Sequence, residues 1–221
     1  MRYKVVIFDW DGTLMDSTPK IVACMQQAAR NTGESVPEAD AVKQIIGLSL
    51  AKAVEVLFGI QDRGRIEALV EQYKTVFIHH DQTPSPMFDG AQALLSKLRE
   101  KGHALAVATG KARRGLERAW SQTDTRDYFI ASRCADEAES KPHPDMLEQL
   151  LAHFGVSVSE AVMVGDTSHD MGMAEAIGMD RIAMTHGAHS LQQLIRFSPV
   201  AICDDLQSLG DFLINLPEVQ N

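Results

Sequence analysis

The sequence predicts an α/β protein in which helices cover both faces of a parallel sheet. From about residue 88 onward, short apolar runs alternate with stretches of helical periodicity. The first apolar run, Val5–Phe8, ends abruptly at Asp9. Continuous apolar runs of this length are typical of strands that are buried on both faces of a parallel sheet. In such a sheet the functional site is expected at the carboxyl ends of the strands.

Five segments are predicted as strands: residues 5–8, 104–108, 161–164, 181–184 and, with a weaker signal, 200–203. Helical spacing of apolar residues precedes Gly102 and Gly155, and glycine is common immediately after the last residue of a helix. This order of elements predicts a Rossmann-like core.

Residues 16–84 interrupt the alternation, because they carry helical periodicity without a convincing strand. Thr18 and Pro19 are interpreted as the cap and first residue of one helix, and Ser49 as the cap of a second. A third helix is expected between Ile66 and Phe77. We therefore predict a small all-helical cap domain (16–84) inserted into a catalytic core (1–15 and 85–221).

Composition limits the classes of partner. The chain has 221 residues, 45% of them hydrophobic, and a formal charge of -9. This charge disfavours binding to nucleic acid or to an anionic membrane, and an anionic substrate would need a locally positive site. Three widely spaced cysteines indicate neither a disulfide framework nor a zinc site. Without a signal-peptide core or a membrane-spanning stretch, a cytoplasmic protein is expected, as a monomer or homodimer.

Polar residues follow several of the predicted strands. The motif Asp9-Trp10-Asp11-Gly12-Thr13 comes directly after the first strand, and Thr109-Gly110-Lys111 follows the second. Lys141-Pro142 and the acidic loop from Gly165 to Asp170 complete the set. All of these segments are expected to converge on one rim of the sheet.

These four segments resemble, in order, the motifs of the haloacid dehalogenase superfamily, and the helical insert resembles its cap. The resemblance implies that Asp9 is a nucleophile that forms an aspartyl-phosphate, and that Asp11 is the acid and base. It also implies that Lys141 steadies Asp9 and the transferring group. The remaining implied roles are phosphate binding by Thr109 and Gly110, and Mg²⁺ binding by Asp9, the Asp11 carbonyl and Asp166, with Asp170 as a ligand or a neighbour of one.

Elementary electrostatics supports a metal and a lysine at this rim. A phosphomonoester carries about -1.5 to -2 charge at neutral pH, and four aspartates are already present. Mg²⁺ prefers hard oxygen ligands and usually keeps several waters, which suits a few carboxylates. Mg²⁺ is therefore the expected cofactor.

The expected activity is hydrolysis of a small phosphorylated metabolite, either phosphoglycolate-like or a sugar phosphate. The presence of Asp11 favours phosphoryl chemistry over dehalogenation, since a leaving halide needs no proton. A sugar phosphomutase similar to β-phosphoglucomutase is the main alternative, and a non-catalytic binding module or a receiver-like domain are others. Gly47 and Ser49 are predicted substrate contacts from the cap.

Overall fold

The computed structural model describes residues 2–215, and its centre is a six-stranded, fully parallel sheet. The strand order is β3-β2-β1-β4-β5-β6. The strands are β1 (Val5–Phe8), β2 (Ala104–Thr109), β3 (Ala131–Cys134), β4 (Ala161–Gly165), β5 (Asp180–Met184) and β6 (Ala201–Cys203).

Ten α-helices are described within the same residues. The first four lie between β1 and residue 81: α1 (Thr18–Thr32), α2 (Ala39–Lys43), α3 (Leu50–Phe58) and α4 (Arg63–Thr75), which continues into a π-helical turn (Val76–His80). The others are α5 (Ala91–Glu100), α6 (Arg113–Thr123), α7 (Asp145–Phe154), α8 (Ser168–Glu175), α9 (Leu191–Leu194) and α10 (Leu206–Ile214).

The two faces of the sheet bury separate hydrophobic cores. Side chains alternate across a strand, so that Val6 and Phe8 join a cluster with residues of α5, α6 and α10. Val5 and Ile7 point to the opposite face and join a cluster with residues of α7 and α8. Helices therefore cover both faces, and the predicted Rossmann-like fold is confirmed.

Helices α1 to α4 contribute to a separate hydrophobic cluster. We call residues 18–80 the helical insert; its buried apolar side chains include Ile21, Met25, Val42, Val54 and Leu69. The division into a cap of residues 16–84 and a core of residues 1–15 and 85–221 stays a prediction. Met1 and residues 216–221 of that core lie outside the described residues.

Two details differ from the sequence prediction. β3 was not predicted, because Ala131–Cys134 is a mostly half-buried edge strand containing serine and arginine and lacks a continuous apolar run. The first helix is capped by Ser17 and not by Thr18. The Ser17 hydroxyl makes no capping hydrogen bond, since it donates instead to Asp11.

Candidate active site

The predicted site residues meet at the carboxyl edge of the sheet. Phe8 is in register with Val107 of β2 and with Val164 of β4, so the loops that follow these three strands leave the sheet side by side. Asp9 follows β1, Thr109 ends β2 and Asp166 follows β4. The topology of the sheet alone therefore places these three side chains at one edge.

Three buried carboxylates form a cluster at this edge. One carboxylate oxygen from each of Asp9, Asp166 and Asp170 lies within 4.8 Å of the others. The Lys141 ammonium, whose side chain is 0% exposed, lies 2.9 Å from Asp9 Oδ1 and 2.6 Å from Asp170 Oδ1. Three carboxylates and one ammonium leave two formal negative charges uncompensated in a buried place.

Neighbouring polar groups hold two of the three carboxylates in place. Asp166 accepts hydrogen bonds from the Thr13 hydroxyl (2.7 Å) and the Ala188 backbone amide (2.7 Å). Asp170 is the third residue of α8, where Thr167 donates to it from both its amide (3.0 Å) and its hydroxyl (2.7 Å). This capping box fixes the carboxylate at the positive end of the helix.

Asp9 differs from its neighbours. Among the described residues, no hydroxyl or backbone amide donates a hydrogen bond to its buried carboxylate, whose one close partner is the Lys141 ammonium, 2.9 Å from Oδ1. Burial raises the pKa of Asp9 to about 7, although Lys141 opposes this rise. Burial, together with the charges of Asp170 and Asp9, also raises the pKa of Asp166 well above its usual range. The site is therefore short of positive charge.

Lys141 stays charged in spite of its burial. Burial alone would lower the pKa of Lys141, but the charges of Asp170 and Asp9 outweigh that effect and raise it. The ammonium therefore acts as a permanent counter-charge within the cluster.

The donor set fits a hard divalent cation. Such ions take oxygen ligands, and the cluster offers carboxylate oxygens, two of which, on Asp9, accept no hydrogen bond within residues 2–215. One divalent ion would also compensate the two uncompensated negative charges.

Asp11 lies outside this cluster. Its Oδ1 accepts a hydrogen bond from the Ser17 hydroxyl (2.5 Å) and pairs with the Lys111 ammonium at 2.9 Å. Gly12 follows with a φ of +81°, a backbone conformation that residues with side chains rarely adopt. A Cβ added there would clash with Asp166 Oδ2, so this turn passes directly against the acidic cluster.

The loop of the helical insert before α3 presses on the rim. A Cβ added to Gly110 would lie only 2.5 Å from the Gly47 carbonyl oxygen and 2.6 Å from that of Leu48. The Ser49 amide donates to the Ser140 hydroxyl at 2.9 Å, next to Lys141. Gly47 and Ser49 therefore lie at the edge of the site, and their contact with a substrate stays a prediction.

Several residues that shape the site were not predicted from the sequence. Thr13, Thr167 and the Ala188 amide hold the carboxylates, and Ser17 and Lys111 hold Asp11. Thr13, Lys111 and Thr167 lie inside the quoted motifs, so the sequence already indicated that they are near the site. No sequence motif indicated Ser17 or Ala188, because their contacts depend on how their loops fold back onto the site.

The fold and the acidic site together define an α/β enzyme whose site lies at the carboxyl edge of a parallel sheet. Residues 6–184 match the family model described as haloacid dehalogenase-like hydrolase. The chain belongs to this family.

Relatives and solved structures agree with that assignment. A probable phosphatase, IndB, from Dickeya dadantii is 35% identical over 90% of this chain and 89% of its own length. A phosphoglycolate phosphatase from Rhodospirillum rubrum is 29% identical over 95% and 90%. The solved structure of a putative haloacid dehalogenase-like hydrolase from Bacteroides fragilis shares the fold, with a TM-score of 0.87, 24% identity, and coverage of 94% of this chain and 99% of that one.

Within residues 2–215 no helix has the length and apolar character needed to cross a membrane.

Proposed function

We propose that this protein is a Mg²⁺-dependent phosphatase that hydrolyses a small phosphomonoester through an aspartyl-phosphate on Asp9. The observation that carries the proposal is the buried trio of Asp9, Asp166 and Asp170, which Lys141 compensates only in part. Relatives named as phosphatases support the same reaction class.

In the first step, an oxygen of Asp9 attacks phosphorus and the bond from phosphorus to the leaving oxygen breaks. Asp9 suits this role because its Oδ2 has no hydrogen-bond partner among the described residues, so the lone pairs of that oxygen are free. Asp11 gives its proton to the leaving oxygen, which departs as an alcohol. Thr109 Oγ1 and the Gly110 amide would donate hydrogen bonds to the phosphoryl oxygens.

In the second step, Asp11 takes a proton from water, and that water attacks the phosphorus of the aspartyl-phosphate. The acyl-phosphate bond breaks, which frees phosphate and restores Asp9. The contacts of Asp11 with Ser17 and Lys111 hold its carboxylate in one position for both transfers.

Asp9, the Asp11 carbonyl, Asp166 and Asp170 would hold Mg²⁺, which supplies positive charge to the phosphoryl oxygens when bound. Asp170 has the fewest free lone pairs among these residues, because its two oxygens already accept hydrogen bonds from Thr167 and Lys141. Its main part in this proposal is to position Lys141.

The test is phosphate release from a panel of small phosphomonoesters, with Mg²⁺ or with EDTA, by the wild type and by Asp9→Asn. We expect release that requires both Mg²⁺ and Asp9, whereas Asp89→Asn, at an exposed aspartate, should keep full activity. Release by Asp9→Asn at the wild-type rate would contradict the proposed nucleophile.

Asp11 can be tested separately with p-nitrophenyl phosphate, whose leaving group needs no proton. Asp11→Asn should release about one p-nitrophenolate per protein in a burst and then stall, because only the second step still needs the base. Steady turnover at the wild-type rate would exclude Asp11 as the base. Incubation with glucose 1-phosphate addresses the mutase alternative, which predicts glucose 6-phosphate and no free phosphate.

A further inference from the structure

Lys111 is a second cation at the site. In the proposed chemistry its only role is to position Asp11. It follows Gly110 after β2, and its Nζ lies 2.9 Å from Asp11 Oδ1. The side chains of Lys111 and Asp11 are 13% and 12% exposed, whereas Lys141 is fully buried. The Lys111 side chain is therefore partly open to solvent, whereas the Lys141 side chain is not.

The helical insert forms the other wall beside Lys111. The Lys111 ammonium lies 5.3 Å from the centre of the Phe77 ring, and the Lys20 ammonium lies 5.0 Å from the same ring. Lys20 is already committed, because it pairs with Asp81 Oδ1 (3.1 Å) and donates to the Asp81 carbonyl (2.8 Å). Lys111 thus stands between Asp11 and the insert, where the leaving group of a substrate must lie.

We propose that Lys111 is the specificity-determining residue of this site and binds an anionic group, carboxylate or phosphate, carried by the leaving group. The inference rests on the proposed function. If Asp11 protonates the leaving oxygen, that oxygen lies roughly 2.6–3.2 Å from the Asp11 carboxylate. An anion attached two or three bonds from the leaving oxygen is then within reach of the Lys111 ammonium.

The chemistry of lysine suits this double role. An ammonium has three donors, so Lys111 can keep its pair with Asp11 and donate a hydrogen bond to a second oxygen. With a formal charge of -9, the chain as a whole repels anions, so a local cation favours the binding of an anionic substrate. One hydrogen bond to a charged group corresponds to roughly 10- to 100-fold in affinity.

The experiment compares two esters that differ in one group: phosphoglycolate, with a carboxylate, and 2-hydroxyethyl phosphate, without one. We expect the wild type to favour phosphoglycolate by about 10-fold or more in kcat/KM, and Lys111→Met to abolish this preference mainly through KM. Because Lys111 also positions Asp11, Lys111→Met should lower kcat on both esters by a similar factor, and the readout is the ratio of the two kcat/KM values. Lys111→Arg should keep part of the preference, and Lys52→Met, on the exposed side of α3, should keep all of it.

Pyrophosphate forms a third arm, since its leaving group is itself a phosphate. A Lys111-dependent preference for phosphoglycolate identifies the anion as a carboxylate, and one for pyrophosphate identifies it as a phosphate. Equal losses on all three substrates would refute the proposal, because Lys111 would then only position Asp11.

A binding measurement separates this proposal from the proposed function. The Asp9→Asn protein with Mg²⁺ should bind phosphoglycolate or pyrophosphate about 10-fold more tightly than 2-hydroxyethyl phosphate, and adding Lys111→Met should remove the difference. Hydrolysis by the wild type without this difference overturns the role of Lys111 alone. The difference without any hydrolysis overturns the phosphatase alone.

Discussion

Removing the Lys141 ammonium should destabilise the metal-free protein more than any surface substitution. In Lys141→Met the side chain keeps a similar volume, but Asp9 and Asp170 lose the cation that lies 2.9 Å and 2.6 Å from their oxygens. Breaking a buried ion pair on one side costs about 3–5 kcal/mol, because the remaining charge stays buried without compensation. For a chain of this length, each kcal/mol lowers Tm by about 2–4 °C, so we expect a fall of roughly 6–20 °C.

The assay is thermal unfolding at pH 8 in EDTA and again with saturating Mg²⁺. The loss should shrink with Mg²⁺, which compensates the same carboxylates. It should also shrink at pH 6, because burial raises the pKa of Asp9 to about 7, and below that pH the carboxyl is neutral and no longer needs a counter-charge. Lys52→Met should shift Tm by no more than a surface substitution does. A Tm for Lys141→Met within about 2 °C of the wild type in EDTA at pH 8 would refute the reasoning.

Three further predictions concern the rim, a buried histidine and the thiols. Gly110→Ala should lower kcat/KM by about 100-fold, since its Cβ would push the insert loop away. Gly64→Ala in α4, whose Cβ would make only an ordinary 3.5 Å contact with Asp62 Oδ1, should leave kcat/KM unchanged. Burial lowers the pKa of His103, so its contribution to the free energy of unfolding should be complete above about pH 6.5 and should fall as the pH drops below that value. In urea titrations, His103→Gln should reduce this dependence of stability on pH, whereas His153→Gln, at an exposed histidine, should not. The three buried cysteines, whose thiol pKa values burial raises, should stay unreactive to a disulfide reagent at pH 8 until the protein is unfolded.

The buried parts of the fold could be predicted from the sequence because burial leaves a pattern. Val5–Phe8, Ala104–Thr109 and Ala161–Gly165 are central strands covered on both faces, so their apolar runs are nearly continuous. Ala131–Cys134 is an edge strand whose residues are mostly half-buried, and no apolar run marks it. Its pairing with β2 follows from the sheet and not from its own composition.

The candidate site also has parts that the sequence could predict and parts that it could not. Asp9, Lys141 and Asp166 could be placed together because each follows or precedes an element of the core at a recognisable motif. The pair of Lys111 with Asp11 could not, since it depends on a side-chain conformation and on the packing of the insert against the core. Sequence spacing locates backbones, whereas ion pairs between neighbouring loops are decided by tertiary packing.

The three clustered carboxylates differ in how firmly hydrogen bonds hold them in place. Asp170 is bound by the start of α8 and by Lys141, and Asp166 is bound by Thr13 and a backbone amide, so both are in position before any ligand arrives. Asp9 alone receives no hydrogen bond from a hydroxyl or a backbone amide among the described residues, and its Oδ2 has no partner there, which costs stability in a buried site. That cost is consistent with a nucleophile, because lone pairs that are tied up by donors cannot attack phosphorus. Asp166, Asp170 and Lys141 are therefore fixed by their own contacts. The proposed reaction starts from Asp9, the one carboxylate of the cluster that keeps an oxygen without a partner among the described residues.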